Sequence, residues 1–422
     1  MSKRNARAVV VDCFQDRSSI HSILTNTEEL ISGNTDIDNH VFFITPINLN
    51  DVISSSVSIT SVFTRHQVVT SSSKIGAFYK AKTDFDLKDI EDILIVCCLE
   101  GLTFWTNTCE ILLTPVHQWQ IKTLPEAGTT TTKTNATTAV SKVRDKDDGI
   151  DDLKVTITNY LQSIDPIGQL NILHSPLFEV DQFVHGFTTR TGGITTIPPM
   201  SSLNLHYTVK KRDPPIVIKE NLRRVATAAG FDLKTFHPLK PEHGNAVWVM
   251  DKEEPVKYDG IVTNRRGVTL AAPGADCIPV IFADPVKMIC GAVHAGYRGT
   301  VMAAVVETLR VMVSVYNCDP KDVRVAMGPA LRPCCAVLEP DDPTVAGLAA
   351  ISPSCVGRDK AGKPCVDMFK ANTIMLLKEG ILPEHIDDRS AGICTFCNKD
   401  KCFSHQRDGI PFGNQVGFIR ML

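Results

Sequence analysis

The sequence predicts an α/β protein of two domains: a smaller α/β domain at the N-terminus, and a larger α/β or α+β domain built on a mixed sheet. Three observations support this prediction. The chain has 422 residues, which is too long for one ordinary hydrophobic core. Short β-rich runs alternate with helix-like segments along most of its length. A Thr-rich stretch with few large apolar residues divides the chain into two parts.

The first part, residues 1–125, has the pattern of a small α/β domain. Strands are predicted for RAVVVDCF, HVFFITPI and DILIVCCL, and a helix for RSSIHSILTNTEELISG. No catalytic pattern stands out in this part, so its role is open and a protein partner is a possible one. Residues 126–152 are rich in Thr, Lys and Asp and cannot bury a core, which predicts a flexible linker.

The second part, residues 153–422, mixes strands and helices without a repeat of fixed period. Strands are predicted for GIVTNRRGVTLAA, IPVIFAD, CGAVHAG and DVRVAMG. Helices are predicted for IVIKENLRRVATAAG, TVMAAVVETLRVMVSVY and FKANTIMLLKEG. We therefore expect the larger domain, and any catalytic site, in this part.

Composition limits the partners and the compartment. Hydrophobic residues make up 43% of the chain and charged residues 22%, with a net charge of −3, so neither nucleic acid nor an anionic membrane surface is an expected partner. No run approaches about 20 apolar residues, and the N-terminus lacks a signal-peptide core. We therefore expect a soluble cytoplasmic protein without membrane insertion, in which the 14 cysteines are reduced thiols.

Three short polar turns beside β-type runs carry candidate metal ligands. They are PEHG with His243, GADCIP with Cys277 and HAGYRG with His294. Two imidazoles and a thiolate suffice for a catalytic zinc, because three protein ligands leave the fourth position to water or substrate. The sequence separations are too long for spacing to prove a site. Taken singly, His243 is more simply interpreted as a turn histidine that hydrogen-bonds to the backbone. Cys277 is then a small apolar residue that fills space in the core.

Two arginines lie in Gly-rich turns that suit an anion. HGFTTRTGG ends in a Gly-rich turn that carries Arg190, and Arg298 follows His294 just before a predicted helix. Loop amides, a helix N-terminus and a guanidinium together favour phosphate. Either arginine alone is more often a surface ion-pair partner, but Arg298 shares its turn with a candidate metal ligand.

A second candidate metal site lies near the C-terminus. Cys394 and Cys397 form a C-x-x-C pair, and Cys402 and His405 follow. The irregular spacing weakens this interpretation. The alternative is a closing loop in which residues such as His405 line a pocket.

These residues occur in an order that resembles a known family. HGFTTRTGG, SSLNL, ENLRR, HGNAVWV, DGIVTN, GADCIPV, VHAGYRGT, MGPAL and CTFCNKDKCFSHQRDG follow one another as in the laccase-domain family of YfiH and YlmD type purine nucleoside phosphorylases. The resemblance covers about residues 184–422. With its linker and additional N-terminal domain, the whole chain resembles the animal laccase domain-containing proteins.

The resemblance implies an α/β fold with one zinc per chain, held and used in catalysis by His243, Cys277 and His294. It also implies purine nucleosides and phosphate as substrates: phosphorolysis of adenosine, inosine, guanosine and methylthioadenosine, and deamination of adenosine. Arg190 and Arg298 would contact phosphate. Asn204 and His405 are further candidates for substrate contacts, although either could equally cap a turn. The sequence departs from the bacterial pattern at Tyr297, where tryptophan is usual, which leaves the preferred purine open.

Two other classes of function stay open, and copper is not expected. None of the 12 histidines forms a His-x-His pair, as copper oxidase chemistry would need. Cys277 could instead be a nucleophile activated by a histidine, in a hydrolase of a non-purine amide or ureido compound. The chain could also be a scaffold protein in which zinc only stabilises the fold.

Overall fold

The computed structural model describes residues 6–14, 17–32, 37–46, 65–124, 149–178 and 181–422. Contacts group the chain into a first unit, Met1–Asp165 with Tyr207–Val217, and a second unit, Pro166–His206 with Ile218–Leu422. The predicted linker lies almost wholly outside the described residues, so the predicted division into 1–125, 126–152 and 153–422 stays a prediction. Among the described residues, the helix Ile150–Gln162 is grouped with the first unit.

The first unit contains a parallel sheet of five strands. The strands are β1 (Ala6–Asp12), β2 (Asp38–Thr45), β3 (His66–Thr70), β4 (Asp92–Cys98) and β5 (Gln118–Leu124), and their order in the sheet is β3-β2-β1-β4-β5. Strands of a parallel sheet with covered faces are continuous apolar runs. This explains why AVVVD and ILIVC are buried throughout, and the three strands predicted in this part of the chain are confirmed.

Four helices lie among the described residues of the first unit: α1 (Arg17–Ser32), α2 (Lys74–Leu87), α3 (Leu102–Leu112) and α4 (Ile150–Gln162). Helix α2 begins after Ser73, whose hydroxyl accepts from the amide of Gly76 at 3.0 Å. Helix α4 buries Leu153, Ile157 and Leu161, which repeat every fourth residue on one face.

The second unit contains two larger sheets and a small hairpin. Its strands are β6 (Ile172–Leu173), β7 (Phe183–Thr188), β8 (Phe236–Pro238), β9 (Val247–Val249), β10 (Gly260–Thr263), β11 (Thr269–Gly274), β12 (Ile278–Asp284), β13 (Ile289–Ala295), β14 (Arg324–Met327), β15 (Val356–Arg358), β16 (Pro364–Val366), β17 (Ile386–Asp387) and β18 (Gln415–Met421). The six-stranded sheet has the order β17-β14-β12-β13-β10-β9, and the five-stranded sheet β6-β7-β18-β11-β8. Both sheets contain parallel and antiparallel pairs, which confirms the predicted mixed-sheet α/β class.

The helices of this part of the chain are α5 (Pro215–Ala229), α6 (Tyr297–Val301), α7 (Ala304–Tyr316), α8 (Pro343–Ile351), α9 (Met368–Lys378) and α10 (His405–Asp408). Residues of α7 and α9 share one hydrophobic cluster with the six-stranded sheet. A second cluster joins the two sheets, with Ile261 and Ala292 from one and Leu270 and Ile419 from the other. No helix among the described residues is long and apolar enough to cross a membrane.

Two predicted elements are each divided in the structure. GIVTNRRGVTLAA forms β10 and β11, which belong to different sheets. TVMAAVVETLRVMVSVY begins in α6 and continues in α7, because Ala303 has a φ of 59° and interrupts the helix. An interrupted helix and a strand that changes sheets both keep the apolar pattern of one element, so periodicity alone does not reveal either break.

Candidate active site

His243, Cys277 and His294 lie together in the second unit, and their ligating atoms are all within 4.8 Å of one another. His243 precedes β9, Cys277 immediately precedes β12, and His294 lies near the end of β13. Because β12 and β13 are antiparallel, the start of one adjoins the end of the other. The three residues therefore meet at one end of the six-stranded sheet and fit a metal site.

Strand register accounts for this meeting. Pro279 pairs with His294 in the β12–β13 ladder, so Cys277 lies two residues before the position opposite this histidine. His243 approaches from a turn in which its own φ is 63°, a left-handed conformation that is uncommon outside glycine. The exposure of the three differs: His294 is buried, Cys277 half-buried and His243 exposed. The cluster is therefore open to solvent on the side of His243.

Asp259, just before β10, holds two of these residues in place. Its carboxylate accepts hydrogen bonds from the amides of Glu242, His243 and Gly244 at 3.2, 3.0 and 2.8 Å. It also lies 3.0 Å from Nδ1 of His294, and because an ionised carboxylate only accepts, Nδ1 carries the proton. The Nε2 of His294 is therefore the nitrogen available to a metal, as in carboxylate–histidine–metal sites.

No motif in the sequence predicts a role for Asp259. Burial raises the pKa of this carboxyl, but hydrogen bonds from His294 and from the amides of Gly244 and Glu242 outweigh it, so the net shift is downward. The segment DGIVTN contains the feature that could have identified Asp259. In this segment a charged residue directly precedes a strand that is buried throughout.

The thiol and the imidazole form a strongly coupled pair. Burial raises the pKa of Cys277, but the charge of His294 and hydrogen bonds from His243 and His294 outweigh it and lower the value to about 6. Burial lowers the pKa of His294, but the Cys277 thiolate and Asp259 raise it to about 10. The protein without metal therefore favours a thiolate next to an imidazolium, and a thiolate is the form that binds metals.

Gly296 leaves space for this cluster. A Cβ atom at this position would lie 2.7 Å from Sγ of Cys277 and 3.4 Å from Cδ2 of His243. Its φ of −81° would suit any residue, so the requirement for glycine here comes from the close approach of the thiol rather than from the backbone.

The turn after His294 places two further groups near the cluster. Arg298 is exposed, and within the described ranges its side chain has neither a hydrogen bond nor an ion pair. Tyr297 has a buried hydroxyl without a hydrogen-bond partner among the described residues. Burial raises the pKa of this phenol, and the nearby charges of Asp276 and Cys277 act in the same direction. Among the described residues of this turn, the Arg298 guanidinium is thus available to a ligand, whereas the Tyr297 hydroxyl is buried.

The structure places Arg190 and Asn204 in loops, where each is held by protein groups. The Arg190 guanidinium donates to the carbonyls of Lys399, Pro199 and Ser201 at 2.8 to 3.1 Å. Asn204 is fully buried, and its Oδ1 accepts from the amides of His206 and Asn414. These contacts are those of residues that fasten loops, and the predicted contacts with substrate stay predictions.

His405 lies closer to the cluster. It is exposed at the start of α10, its ring is 4.7 Å from that of Phe412, and its amide donates to the carbonyl of Ala275 at 3.4 Å. Asp276, which the sequence analysis also left without a role, accepts from the hydroxyl of Thr395 and the amide of Gln406, both at 2.6 Å. The C-terminal loop is therefore fastened to the segment that carries Cys277.

The second predicted metal site has different members from those expected. Cys394 and Cys397 lie with Cys334 and Cys335, and all four sulfur atoms are within 4.8 Å of one another. Among the described residues, neither Cys402 nor His405 belongs to this group. Cys402 is buried instead.

Comparison with known proteins identifies relatives of the chain. It is 46% identical to the purine nucleoside phosphorylase LACC1 of Mus musculus over 275 residues, which span 64% of this chain and 63% of that protein. It is 38% identical to the purine nucleoside phosphorylase LACC1 of Homo sapiens over 378 residues, 88% of this chain and 85% of that protein. The chain thus spans less than two thirds of the mouse protein in that alignment.

Solved bacterial structures resemble part of the chain. YlmD from Geobacillus stearothermophilus matches with a TM-score of 0.54 and 29% identity, over 61% of this chain and 99% of that one. The hypothetical protein YfiH from Bacillus licheniformis matches with a TM-score of 0.52 and 26% identity, over 57% of this chain and 93% of that one. A family model described as multi-copper polyphenol oxidoreductase laccase matches residues 184–422. The chain belongs to this laccase family, together with YlmD-type and LACC1 relatives that are named purine nucleoside phosphorylases.

Proposed function

We propose that this chain is a zinc-dependent purine nucleoside enzyme. It phosphorolyses adenosine, inosine, guanosine and methylthioadenosine to the base and a ribose 1-phosphate or methylthioribose 1-phosphate, and it deaminates adenosine to inosine. The observation that carries the proposal is the cluster of His243, Cys277 and His294. The carboxylate of Asp259 hydrogen-bonds to the amide of His243 and to Nδ1 of His294. The names of its relatives support the substrate class.

The donor set supports zinc. Two imidazoles and a thiolate match the three protein ligands of catalytic zinc sites, and Asp259 fixes the tautomer of His294. When bound there, zinc supplies Lewis-acid chemistry and makes an oxygen nucleophile accessible near neutral pH. We expect one zinc at this site and no copper.

The other residues bind and orient the substrates. Arg298, exposed and without a protein partner among the described residues, holds phosphate. In phosphorolysis a phosphate oxygen bonds to C1′ of the ribose while the bond from C1′ to the purine nitrogen breaks, and the base leaves with that electron pair and takes up a proton. In deamination water adds its oxygen at C6 and ammonia leaves. We propose that His405, which is exposed at the start of α10, contacts the nucleoside.

The test is a product assay by mass spectrometry on the purified full chain with adenosine, with and without phosphate. We expect inosine in both reactions, and free base with ribose 1-phosphate only when phosphate is present. His243→Ala and Cys277→Ala should lose one equivalent of zinc and both activities. A folded, zinc-loaded chain that forms no purine product would refute the proposed substrate class.

Arg298→Ala tests the assignment of phosphate. We expect a KM for phosphate raised by about tenfold or more, because one charge-assisted contact contributes about 1.5–3 kcal/mol. Deamination needs no phosphate and should be unchanged. Arg389→Ala, which removes a highly exposed arginine of the same unit, is the matched control. An unchanged KM for phosphate in Arg298→Ala would remove this residue from the site.

One observation favours a second candidate function, that of a cysteine hydrolase acting on an amide or ureido compound. A thiol whose pKa is about 6 next to an imidazole is the arrangement of an activated cysteine nucleophile. Activity that survives chelation of zinc but is lost on alkylation of Cys277 would identify this chemistry. Normal folding of a ligand variant without any loss of activity would instead favour the zinc-stabilised scaffold protein.

We propose the cytoplasm as the location, since all 14 cysteines are free thiols and a reducing compartment keeps them so. The first unit contains none of the groups assigned above, and we propose that it binds a protein partner. A pull-down from cell lysate tests this. It compares the full chain with a chain that lacks Met1–Asp165, the larger segment of the first unit.

A further inference from the structure

Four cysteines form a compact group in the second unit, apart from His243, Cys277 and His294. Cys334 and Cys335 follow β14, and Cys394 and Cys397 lie in the loop between β17 and α10. Sγ of Cys397 is 3.8 Å from Sγ of Cys334 and 3.3 Å from Sγ of Cys335. About 60 residues separate the two pairs in sequence, so only the fold brings them together.

The spacing of the sulfur atoms matches tetrahedral coordination. Zinc–sulfur bonds of about 2.3 Å place the four sulfurs of a tetrahedral site about 3.8 Å from one another. All six separations here lie within 4.8 Å, and two of them are 3.8 and 3.3 Å. The four sulfurs can therefore reach one ion by small side-chain adjustments.

The backbone holds the two pairs together independently of the thiols. Ala330 and Cys394 form a parallel β-bridge, with Ala330 donating to Ile393 at 3.1 Å and Thr395 donating to Ala330 at 3.0 Å. The Arg332 guanidinium donates to the carbonyl of Gly392 at 2.7 Å. The loops that carry the sulfurs are thus fastened to each other on both sides, which preorganises a ligand set.

The environment suits a thiolate-bound cation. The backbone amides of Cys397 and Arg332 donate hydrogen bonds to the sulfur of Cys394. Amide donors to ligand sulfurs are a common second layer of contacts in metal–thiolate sites. Cys334 and Cys397 are exposed, so an ion has access from solvent.

We propose that Cys334, Cys335, Cys394 and Cys397 hold a second zinc ion, which has a structural role because no ligand position is left for substrate. The expected zinc content of the chain thereby rises from one to two. This inference does not depend on the proposed enzymatic function.

The position of the site suggests what the ion stabilises. Thr395, within the Cys394–Cys397 turn, donates to the carboxylate of Asp276 at 2.6 Å, and Leu331 donates to the carbonyl of Asp276 at 3.0 Å. Gln406 links the segment of Asp276 to the segment of Cys335. Its amide donates to the carboxylate of Asp276, and its side chain donates to the carbonyl of Cys335. A zinc here would hold the segment that immediately precedes Cys277.

The experiment is a zinc count on the full chain, purified with a phosphine reductant and freed of loosely bound metal by gel filtration. Elemental analysis should find about two zinc ions per chain in the unmodified protein. Cys397→Ser and Cys334→Ser, both changes at exposed positions, should each retain one. His243→Ala should also retain one, and Cys397→Ser with His243→Ala should retain none.

Cys365→Ser is the matched control, since Cys365 is a partly exposed cysteine of the same unit outside the group and should keep two zinc ions. Cobalt substitution adds an independent signal: His243→Ala loaded with Co²⁺ should show sulfur-to-metal charge transfer that disappears in the double variant. A zinc content unchanged by both Cys397→Ser and Cys334→Ser would overturn the proposal. So would a disulfide between Cys397 and Cys334 or Cys335 in protein that was alkylated before any reductant was added.

Discussion

Asp259 shows how one side chain can hold both histidines of a candidate metal site in place. It accepts from three consecutive amides in the turn of His243 and also pairs with His294, so the two histidines share one anchor. Its low pKa follows from these same donors. The geometry of the cluster should therefore depend on this carboxylate nearly as much as on the ligands themselves.

Asp259→Asn should lower zinc affinity by about 10–100-fold, the usual effect of losing a residue that orients a metal ligand. The new amide group donates where the carboxylate accepted, so either His294 or the turn amides lose their partner. Competition with a chromophoric chelator measures the affinity. Asp251→Asn, at an exposed aspartate paired with Arg265, is the control and should bind zinc normally.

Gly296→Ala tests the space around the thiol. A Cβ atom 2.7 Å from Sγ of Cys277 forces the sulfur to move, so zinc binding and activity should both fall by at least tenfold while the chain still folds. Gly357→Ala is the control, because its Cβ atom would meet nothing closer than 3.8 Å. Zinc content and circular dichroism together distinguish a displaced ligand from an unfolded chain.

Strand β7 contains a buried histidine that should make the stability of the second unit sensitive to acid. Burial and the charge of His174 lower the pKa of His185 to about 4, against an ordinary value of 6.5, and hydrogen bonds to the backbone of Ser175 and Phe183 oppose this only in part. Its Nε2 lies 3.1 Å from the amide nitrogen and 3.0 Å from the carbonyl oxygen of Ser175, so a proton on Nε2 would replace the bond from the amide with a bond to the carbonyl.

Because the folded pKa is lower than the unfolded one, the unfolded chain takes up this proton first as pH falls. The stabilisation is complete above pH 6.5 and is lost between pH 6.5 and 4, by about 3 kcal/mol in total. His185→Gln should lack this loss. Urea unfolding of both proteins at pH 7 and pH 4.5 measures it, and an equal decrease in both would assign the acid sensitivity to other groups.

Helix α2 offers a comparison between a buried and an exposed ion pair of the same kind. Asp86 is buried with Lys82 and also contacts Nε2 of His117 at 2.7 Å and Arg212 at 3.3 Å. On the same helix Asp84 pairs with Lys88, also four residues away, but with both side chains partly exposed.

Asp86→Ala should destabilise the first unit by about 3–5 kcal/mol, because it leaves the buried ammonium of Lys82 without a counter-charge. Asp84→Ala should cost less than about 1 kcal/mol. Thermal and urea unfolding of the two variants gives the comparison. An equal loss of unfolding free energy in the two variants would mean that solvent reaches the carboxylate of Asp86.

At the scale of the whole molecule, the two units should unfold separately. Both candidate metal-binding groups among the described residues lie in the second unit, and a ligand that binds only the folded state stabilises the part that binds it. Scanning calorimetry should therefore show two transitions, of which only one moves to lower temperature when a strong zinc chelator is added. A single transition that moves as a whole would mean that the units unfold cooperatively.

Much of this protein follows from its sequence. Apolar runs such as AVVVD and IPVIFAD are strands because short-range periodicity and β-propensity act on neighbouring residues. The turns that carry His243, Cys277 and His294 were identifiable for the same reason, since glycine and proline mark turns locally. The family resemblance named the same three residues.

Only the tertiary structure decided which of these groups meet. The register of β12 against β13 brings Cys277 close to His294. Asp259 lies at the same end of this sheet and contacts Nδ1 of His294. In the same way, a β-bridge between Ala330 and Cys394 joins two cysteine pairs that the sequence keeps far apart, and it excludes the nearer Cys402. Local patterns depend on neighbours along the chain, whereas a site depends on contacts between distant residues, and strand pairing and core packing determine those contacts.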